Sequence, residues 1–552
     1  MKTLSAVTAA CALLLGAGSA AASTAPAHLV TPPAHGQHTC VDTPLTITFA
    51  NRPALGTSGT ITVHHADGSA ADVINLADPT TNTLTLPGAI DTSGAPHRFT
   101  YHPVLIEGDT ATIHPHHELG YGQTYYVTID PGVFTGVPGF NGITSPVAWR
   151  FITRPTGPPT GAGRITVDAG GNGEFCTVEG AITAVPDNNQ RPVTIVVAPG
   201  TYTELDWVPV DKPHITVAGA GQGATIIQYA NNDKLNGQSS GSVCPRQLIP
   251  GHDNYNCWRA DVNVEADDFA LRDLTVHNTT PYGGSQAEAF RGNADRIVLD
   301  HVTLLSYQDT MRLQGRGYVT HSLIQGDVDF TWGFGAVMIA DSELESMHAG
   351  YVTQVRNDAT HHGYVFLRDR LTAAAGVANG SVYLGRIDPT VYPYSQAVFI
   401  DTAMGPHIAT AGWLLNNADC GKGGNLQFWE YGSADLTGKP LDASHRLSCS
   451  QQLTAAQATV WSDPTTVLSG WNPAMAHGAA PAFPGDGAAA LSAPWSGTTA
   501  TTETTSAADA YRGVSANAGA LPRDQVDTHV IADVTALGRS GTGLGNDGYG
   551  TA

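Results

Sequence analysis

Between residues 26 and 155 apolar and polar positions alternate in short runs: LTITFA (45–50), GTITVHHADG (59–68), TATIHP (110–115), TYYVTIDPG (124–132) and VAWRFITRP (147–155). A period of two over four to six residues, broken by Gly, Pro and Asp, predicts half-buried strands, and several at this spacing predict an antiparallel sandwich. The pattern changes from Arg164. VLDHVTL, YVTHSLI and MIADSEL superpose without gaps, with starts at 298, 318 and 338. Looser copies, ALRDLTV from Ala270 and VFLRDRL from Val365, are shifted by 28 and 27 residues, as loop insertions into a repeating coil produce. A strand-and-turn repeat of this length predicts a parallel solenoid whose coils stack on one another. Long amphipathic helices are nearly absent.

The expected organisation is a signal peptide over 1–22, a β-sandwich over 23–155 and a linker over 156–163. A solenoid domain follows over 164–475, and an Ala, Gly, Ser and Thr-rich low-complexity tail over 476–552. The first segment pairs Lys2 with an apolar run centred on Leu13 to Leu15 and an Ala-x-Ala site at Ala20 to Ala22, which predicts export. No later segment reaches the ~18 apolar residues that cross a membrane. Cys11 lies within the leader, leaving Cys40, Cys176, Cys244, Cys257, Cys420 and Cys449. Six cysteines in an exported chain point to disulfides, and no CxxC pair suggests zinc. Short spacing favours Cys244 with Cys257 and Cys420 with Cys449; Cys40 and Cys176 either pair across domains or stay free. His114, His116 and His117 read as solvated loop histidines rather than metal ligands.

Only 13% of residues are charged, and the formal net charge is −22. Nucleic acid and anionic membranes need a basic stripe for counterion release, so neither is expected as a partner. The same charge repels an ionised polyanion.

Against this sparse charge, YQDTMRLQGRGYVTHSLIQGDVDF (307–330) carries Asp309 and Asp329 twenty positions apart, which is the local repeat. Equivalent places on adjacent coils lie ~4.8 Å apart, so two outward carboxyls would come within roughly 5–6 Å of each other. Such a pair resists double ionisation and can hold one acid and one base at a single pH. Gln308 precedes Asp309, and Gln286 lies one 22-residue step earlier. Amide NH2 groups there can stabilise charge on a carbonyl oxygen. The bland alternatives are turn carboxylates for the aspartates and a buried amide ladder for the glutamines.

Here the sequence resembles the pectin methylesterases. The phrases that carry the likeness stand in the family's order: GEFCTVEGAITAVPDNN (173–189), VAPGTYTE (197–204), SQAEAFR (285–291), YQDT (307–310), GDVDFTWG (326–333), YLGR (383–386) and GW (412–413). The resemblance implies an all-β fold, a right-handed parallel β-helix here preceded by an Ig-like β-sandwich. It implies hydrolysis of methyl esters of homogalacturonan, with Asp329 as nucleophile and Asp309 as acid and then base. Arg386 would orient Asp329, and Gln286 and Gln308 would donate to the oxyanion. Tyr307, Phe330, Trp332 and Trp413 would line a cleft for sugar rings. No metal or cofactor is implied, and the expected protein is a secreted monomer acting on methyl-esterified pectin. VAPGTYTE reads as structural, with Glu204 fixing a loop.

One departure stands out: the family follows LGR with Pro-Trp, where this chain has Ile387 and Asp388. That removes an aromatic platform which Tyr392 or Tyr394 could replace. The competing readings are a β-helix glycoside hydrolase acting on galacturonan, an esterase for a non-pectin ester, and a carbohydrate-binding surface protein with a decayed site.

Overall fold

The computed structural model describes residues 28–242, 258–422 and 424–473. The signal peptide with Cys11, the Cys244–Cys257 pair and the tail over 476–552 lie outside the described residues.

The alternating runs of the N-terminal part form two sheets. His28–Thr31, Leu45–Phe49, Thr110–Ile113 and Val104–Glu107 make a four-stranded sheet; Gly36–Thr39, Arg150–Thr153, Thr124–Ile129, Thr60–His65 and Ala70–Asn75 make a five-stranded one. Inward positions such as Ile47, Val63, Val127, Trp149 and Phe151 form one core between them. One pairing departs from the antiparallel expectation, because Arg150–Thr153 runs parallel to Gly36–Thr39. Of the loop histidines, His117 is exposed as expected, but His116 is not a solvated loop residue. The His116 ring bonds the Asp72 carboxylate at 2.7 Å and the Thr81 carbonyl at 2.7 Å, so this side chain clamps a loop rather than meeting solvent.

From Arg164 to Gln452 the strands belong to one parallel β-helix. Its register follows the sequence repeat: Ala270 pairs with Val298, Val298 with Tyr318, Tyr318 with Met338 and Met338 with Val365. The fourth residue of each repeat unit, Asp273, His301, His321, Asp341 and Arg368, has positive φ. A left-handed residue at one point of every coil bends the chain from one strand to the next, and Asp, Asn and His tolerate that region better than most residues.

Inward side chains stack coil on coil into one apolar column, including Leu299, Val319, Ile339, Phe366 and Phe399. Phe366 and Phe399 lie nearly parallel at 4.2 Å. Outward residues of one face, Met338, Val365 and Val398, are covered by the short C-terminal helices Ala455–Trp461 and Pro464–Val467.

The two parts are fastened together near the first coils. A disulfide joins Cys40 to Cys176, and another joins Cys420 to Cys449. The Asp42 carboxylate accepts from the Cys176 amide, the Thr177 amide at 2.7 Å and the Thr177 hydroxyl at 2.5 Å. Leu86, Phe99 and Tyr101 of the sandwich pack on Leu205, Trp207, Tyr229 and Trp258 of the helix domain. A cavity in this junction, lined by His114, Glu118, Glu179 and Glu204 among others, has about 330 Å³. Glu204 fixes a loop in a definite way: its carboxylate accepts the Val178 and Glu179 amides at 2.9 and 3.1 Å, capping the helix Val178–Ala184.

Burial pushes the Glu204 carboxyl up from 4.5 to about 7, and burial also raises Glu179 and Asp206 beside it. A carboxyl whose folded pKa lies above its unfolded value holds a proton that the unfolded chain gives up. The resulting stabilisation is complete below the unfolded value of 4.5 and is lost as pH rises through about 7. Thermal unfolding of the full chain should therefore show a midpoint that declines across pH 5 to 8, and Glu204→Gln should flatten that decline. A variant whose slope matches the wild type would remove Glu204 from the linkage.

Candidate active site

Met311 pairs with Thr331 across two coils, so Asp309 and Asp329, each two residues earlier, occupy the same place on successive coils. The Asp309 amide donates to the Val328 carbonyl at 3.0 Å, and the Asp327 amide to Tyr307 at 2.7 Å. Both aspartates have positive φ, 69° and 51°, which turns their side chains out of the strand line at matching bends. The register extends one coil further back: Phe290 pairs with Met311, so Glu288 completes a column of three carboxylates. Asp309 and Asp329 are each 1% exposed, and Glu288 is fully buried.

Buried carboxylates at this spacing need cations. Arg386, on the strand Val382–Ile387, meets Asp329 side on: its Nε donates to Oδ1 at 3.0 Å and its Nη2 to Oδ2 at 2.5 Å. Gln354 Nε2 adds a third donor to Oδ2 at 2.9 Å, and Arg356 Nε in turn holds the Gln354 carbonyl at 2.6 Å. Asp309 has a different partner, Arg259, whose Nη2 donates to its Oδ2 at 2.5 Å. The same guanidinium gives its Nε to Glu288 at 2.8 Å. The paired aspartates therefore lie between two separate arginines.

The glutamines stand next to this pair. Ala287 donates its amide to the Gln308 carbonyl at 3.1 Å, bringing Gln286 alongside Gln308 on adjacent coils. Gln286 Oε1 accepts from Ser285 at 3.1 Å, which leaves its NH2 as the end able to donate elsewhere. Gln308 Nε2 is buried without a hydrogen-bond acceptor. A buried amide donor of that kind is costly unless something at the site accepts from it.

Three of the four expected cleft aromatics differ from the sequence expectation. Phe330, Trp332 and Trp413 are 0, 1 and 1% exposed, so none of them offers a face to a sugar ring. Phe330 follows the bend at Asp329 and points into the apolar column, and Trp413 stacks on Phe428 at 4.4 Å in the same column. Trp332 lies against the guanidiniums of Arg312 and Arg356, 4.7 and 4.8 Å from its ring, in cation–π contact. Tyr307 is half-buried beside Tyr282 and His348, with ring centroids at 5.5 and 5.6 Å. Tyr282 is exposed and stacks on His348 at 3.8 Å, so the motif residue Tyr307 is joined there by aromatics that no motif marked. After Arg386, the Asp388 carboxylate closes a turn onto Thr390 and Asn417 rather than serving as a platform.

Arg259, Glu288, Gln354 and Arg356 escape sequence reasoning for different reasons. Glu288 could have been found, since it sits in SQAEAFR one 21-residue step before Asp309. Arg259 follows an insertion and shares no period with the pair.

Comparison with known proteins gives the family. The Pectinesterase family profile matches residues 164–462, and the Bacterial Ig-like domain profile matches residues 22–153. Pectinesterase 31 of Arabidopsis thaliana is 30% identical over 253 residues, which cover 45% of this chain and 76% of that protein. Putative pectinesterase 11 of the same plant is 29% identical over 304 residues, covering 54% and 77%. Among solved structures, the pectin methylesterase from carrot is 24% identical with a TM-score of 0.49, covering 58% of this chain and 99% of that one. The deglycosylated enzyme from Aspergillus niger is 24% identical with a TM-score of 0.47, covering 58% and 98%. With its profile matched over more than half of the chain, and a relative covered over three quarters of its length, this protein belongs to the pectinesterase family.

Proposed function

We propose that this protein hydrolyses the methyl esters of homogalacturonan, releasing methanol and de-esterified pectin, with Asp329 as nucleophile and Asp309 as acid and base. The observation that carries the roles is the asymmetry of the pair. Asp329 receives three charged or amide donors from Arg386 and Gln354, which suits a carboxylate that must stay ionised and aimed.

In the first step a carboxylate oxygen of Asp329 bonds to the ester carbonyl carbon. The carbonyl oxygen takes the negative charge and accepts hydrogen bonds from the Gln308 and Gln286 amides. Collapse breaks the bond to the methoxy oxygen, which takes the Asp309 proton and leaves as methanol. In the second step Asp309, now ionised, removes a proton from water while the water oxygen attacks the acyl carbon. Cleavage of the anhydride bond returns Asp329 as a carboxylate and Asp309 as an acid, and the product carboxyl ionises in solution.

Inverting glycoside hydrolysis needs two carboxyls ~6.5–9.5 Å apart with water between them. Placement at matched bends of strands ~4.8 Å apart favours direct attack instead. Export is the setting we infer for this activity: two disulfides suit an oxidising compartment, and residues 1–22 read as a signal peptide. Among the described residues no helix is long and apolar enough to cross a membrane.

Asp329→Asn should abolish methanol release from highly methylated pectin while polymer binding survives, with chain length followed in the same sample. Substantial activity in that variant, or chain shortening without methanol, would sink the assignment. Gln308→Ala should lower kcat by about 10²–10³-fold with a smaller change in KM, the cost of one oxyanion donor; an unchanged kcat would remove Gln308 from that role. Arg386→Ala should cost about 3–5 kcal/mol of unfolding free energy by leaving Asp329 buried without its cation. Denaturant titration of Arg386→Ala with Asp329→Asn should recover much of that loss; additivity of the two changes would show that the residues do not interact.

A further inference from the structure

Arg259 has no part in the reaction as described, yet it touches one of its two carboxyls. Its side chain is 2% exposed and reaches three acids: Nε to Glu288 at 2.8 Å, Nη2 to Asp309 at 2.5 Å and Nη1 to Asp233 at 3.4 Å. A guanidinium stays charged throughout the working range of pH. This one therefore divides a fixed charge between Glu288, which is fully buried, and Asp309, which changes protonation twice in each turnover. Because Nη2 donates to Asp309 Oδ2, a proton carried by Asp309 is favoured on Oδ1.

The support behind Arg259 is closely packed. Trp258, the preceding residue, is fully buried and stacks on His97 of the N-terminal domain at 4.2 Å, with Phe99 edge-on at 5.3 Å. The charged groups around Asp309 come from several coils. Asp233, Arg259 and Glu288 face it from the preceding side, with Asp261 beside Glu288. Arg312 lies on the strand that follows Asp309, Asp329 lies on the next coil, and its partner Arg386 comes from two coils beyond that.

We propose that Arg259 is a positioning residue that selects the proton-bearing oxygen of Asp309, and that Glu288 draws off enough of its charge for Asp309 to act as an acid. The proposal rests on the esterase reading above. With Asp309 ionised, one cation faces three carboxylates; with Asp309 protonated it faces two, so the cluster accommodates the acid form. Removing Glu288 leaves Asp309 sharing the guanidinium with Asp233 alone and favours its ionised form. Removing Arg259 does the reverse.

The two removals should move the same kinetic limb in opposite directions. In pH profiles of kcat for methanol release by the full chain, the high-pH limb is where Asp309 must still hold its proton. Glu288→Gln should move that limb down by about one pH unit, equivalent to about 1.4 kcal/mol. Arg259→Gln should move it up and lower kcat about tenfold or more, while the low-pH limb, set by Asp329 with Arg386, stays in place in both. Glu288→Asp should return the limb toward the wild-type position. If Arg259→Gln does not fold, as judged by near-UV circular dichroism, the Glu288→Gln and Glu288→Asp pair decides. Limbs that stay put while kcat falls, or that move the same way, would reduce Arg259 and Glu288 to packing and overturn the proposal. That outcome is distinct from failure of the esterase reading, in which wild-type protein releases no methanol or Asp329→Asn still does.

Discussion

Everything at the site depends on in-register stacking of parallel coils. Each coil repeats the strand and bend of the one before, so a side chain at a given point meets its equivalent ~4.8 Å away. For apolar residues the result is a continuous column such as Leu299, Val319 and Ile339, and the favourable term is removal of their surfaces from water. For acids the same geometry forces Glu288, Asp309 and Asp329 into one line. Stacking that stabilises the core thus creates the electrostatic problem from which the chemistry comes.

The fold resolves that problem with arginines placed from outside the line. Arg259 approaches from the loop before the strand Val262–Val264 and bridges Glu288 to Asp309, whereas Arg386 approaches from two coils later and clamps Asp329. Because the cations come from opposite directions, the two aspartates are chemically unequal although their backbones are equivalent. Trp332 belongs to this layer as well, since its ring packs against the guanidiniums of Arg312 and Arg356 instead of facing a ligand. The electrostatic layer is therefore held by packing as well as by ion pairs.

The N-terminal sandwich is joined to this arrangement and is more than an appended module. The Cys40–Cys176 disulfide and the Asp42 carboxylate secure it to the first helix of the solenoid, and His97 and Phe99 hold Trp258 directly behind Arg259. Trp207 and Tyr229 of the helix domain are covered by the same interface. A surface made of Trp, Tyr and Phe from both parts favours a fixed junction.

The sequence by itself determined the strand alternation of the first part, the twenty-residue coil from 298 to 338, and hence that Asp309 and Asp329 would be neighbours. Those features are legible because periodicity in the chain becomes adjacency in space wherever no residues are inserted. The Cys420–Cys449 bridge was legible for a similar reason, its partners being close in the chain. Tertiary structure alone decided which way each side chain points. Phe330 and Trp413 turn into the apolar column because the bend at each coil sets the inward phase, which composition does not encode. It also decided that Cys40 reaches Cys176 and that Arg259 reaches Asp309, fifty residues on and beyond an insertion. Such contacts carry no period in the chain, because the docking of one packed surface on another brings them together.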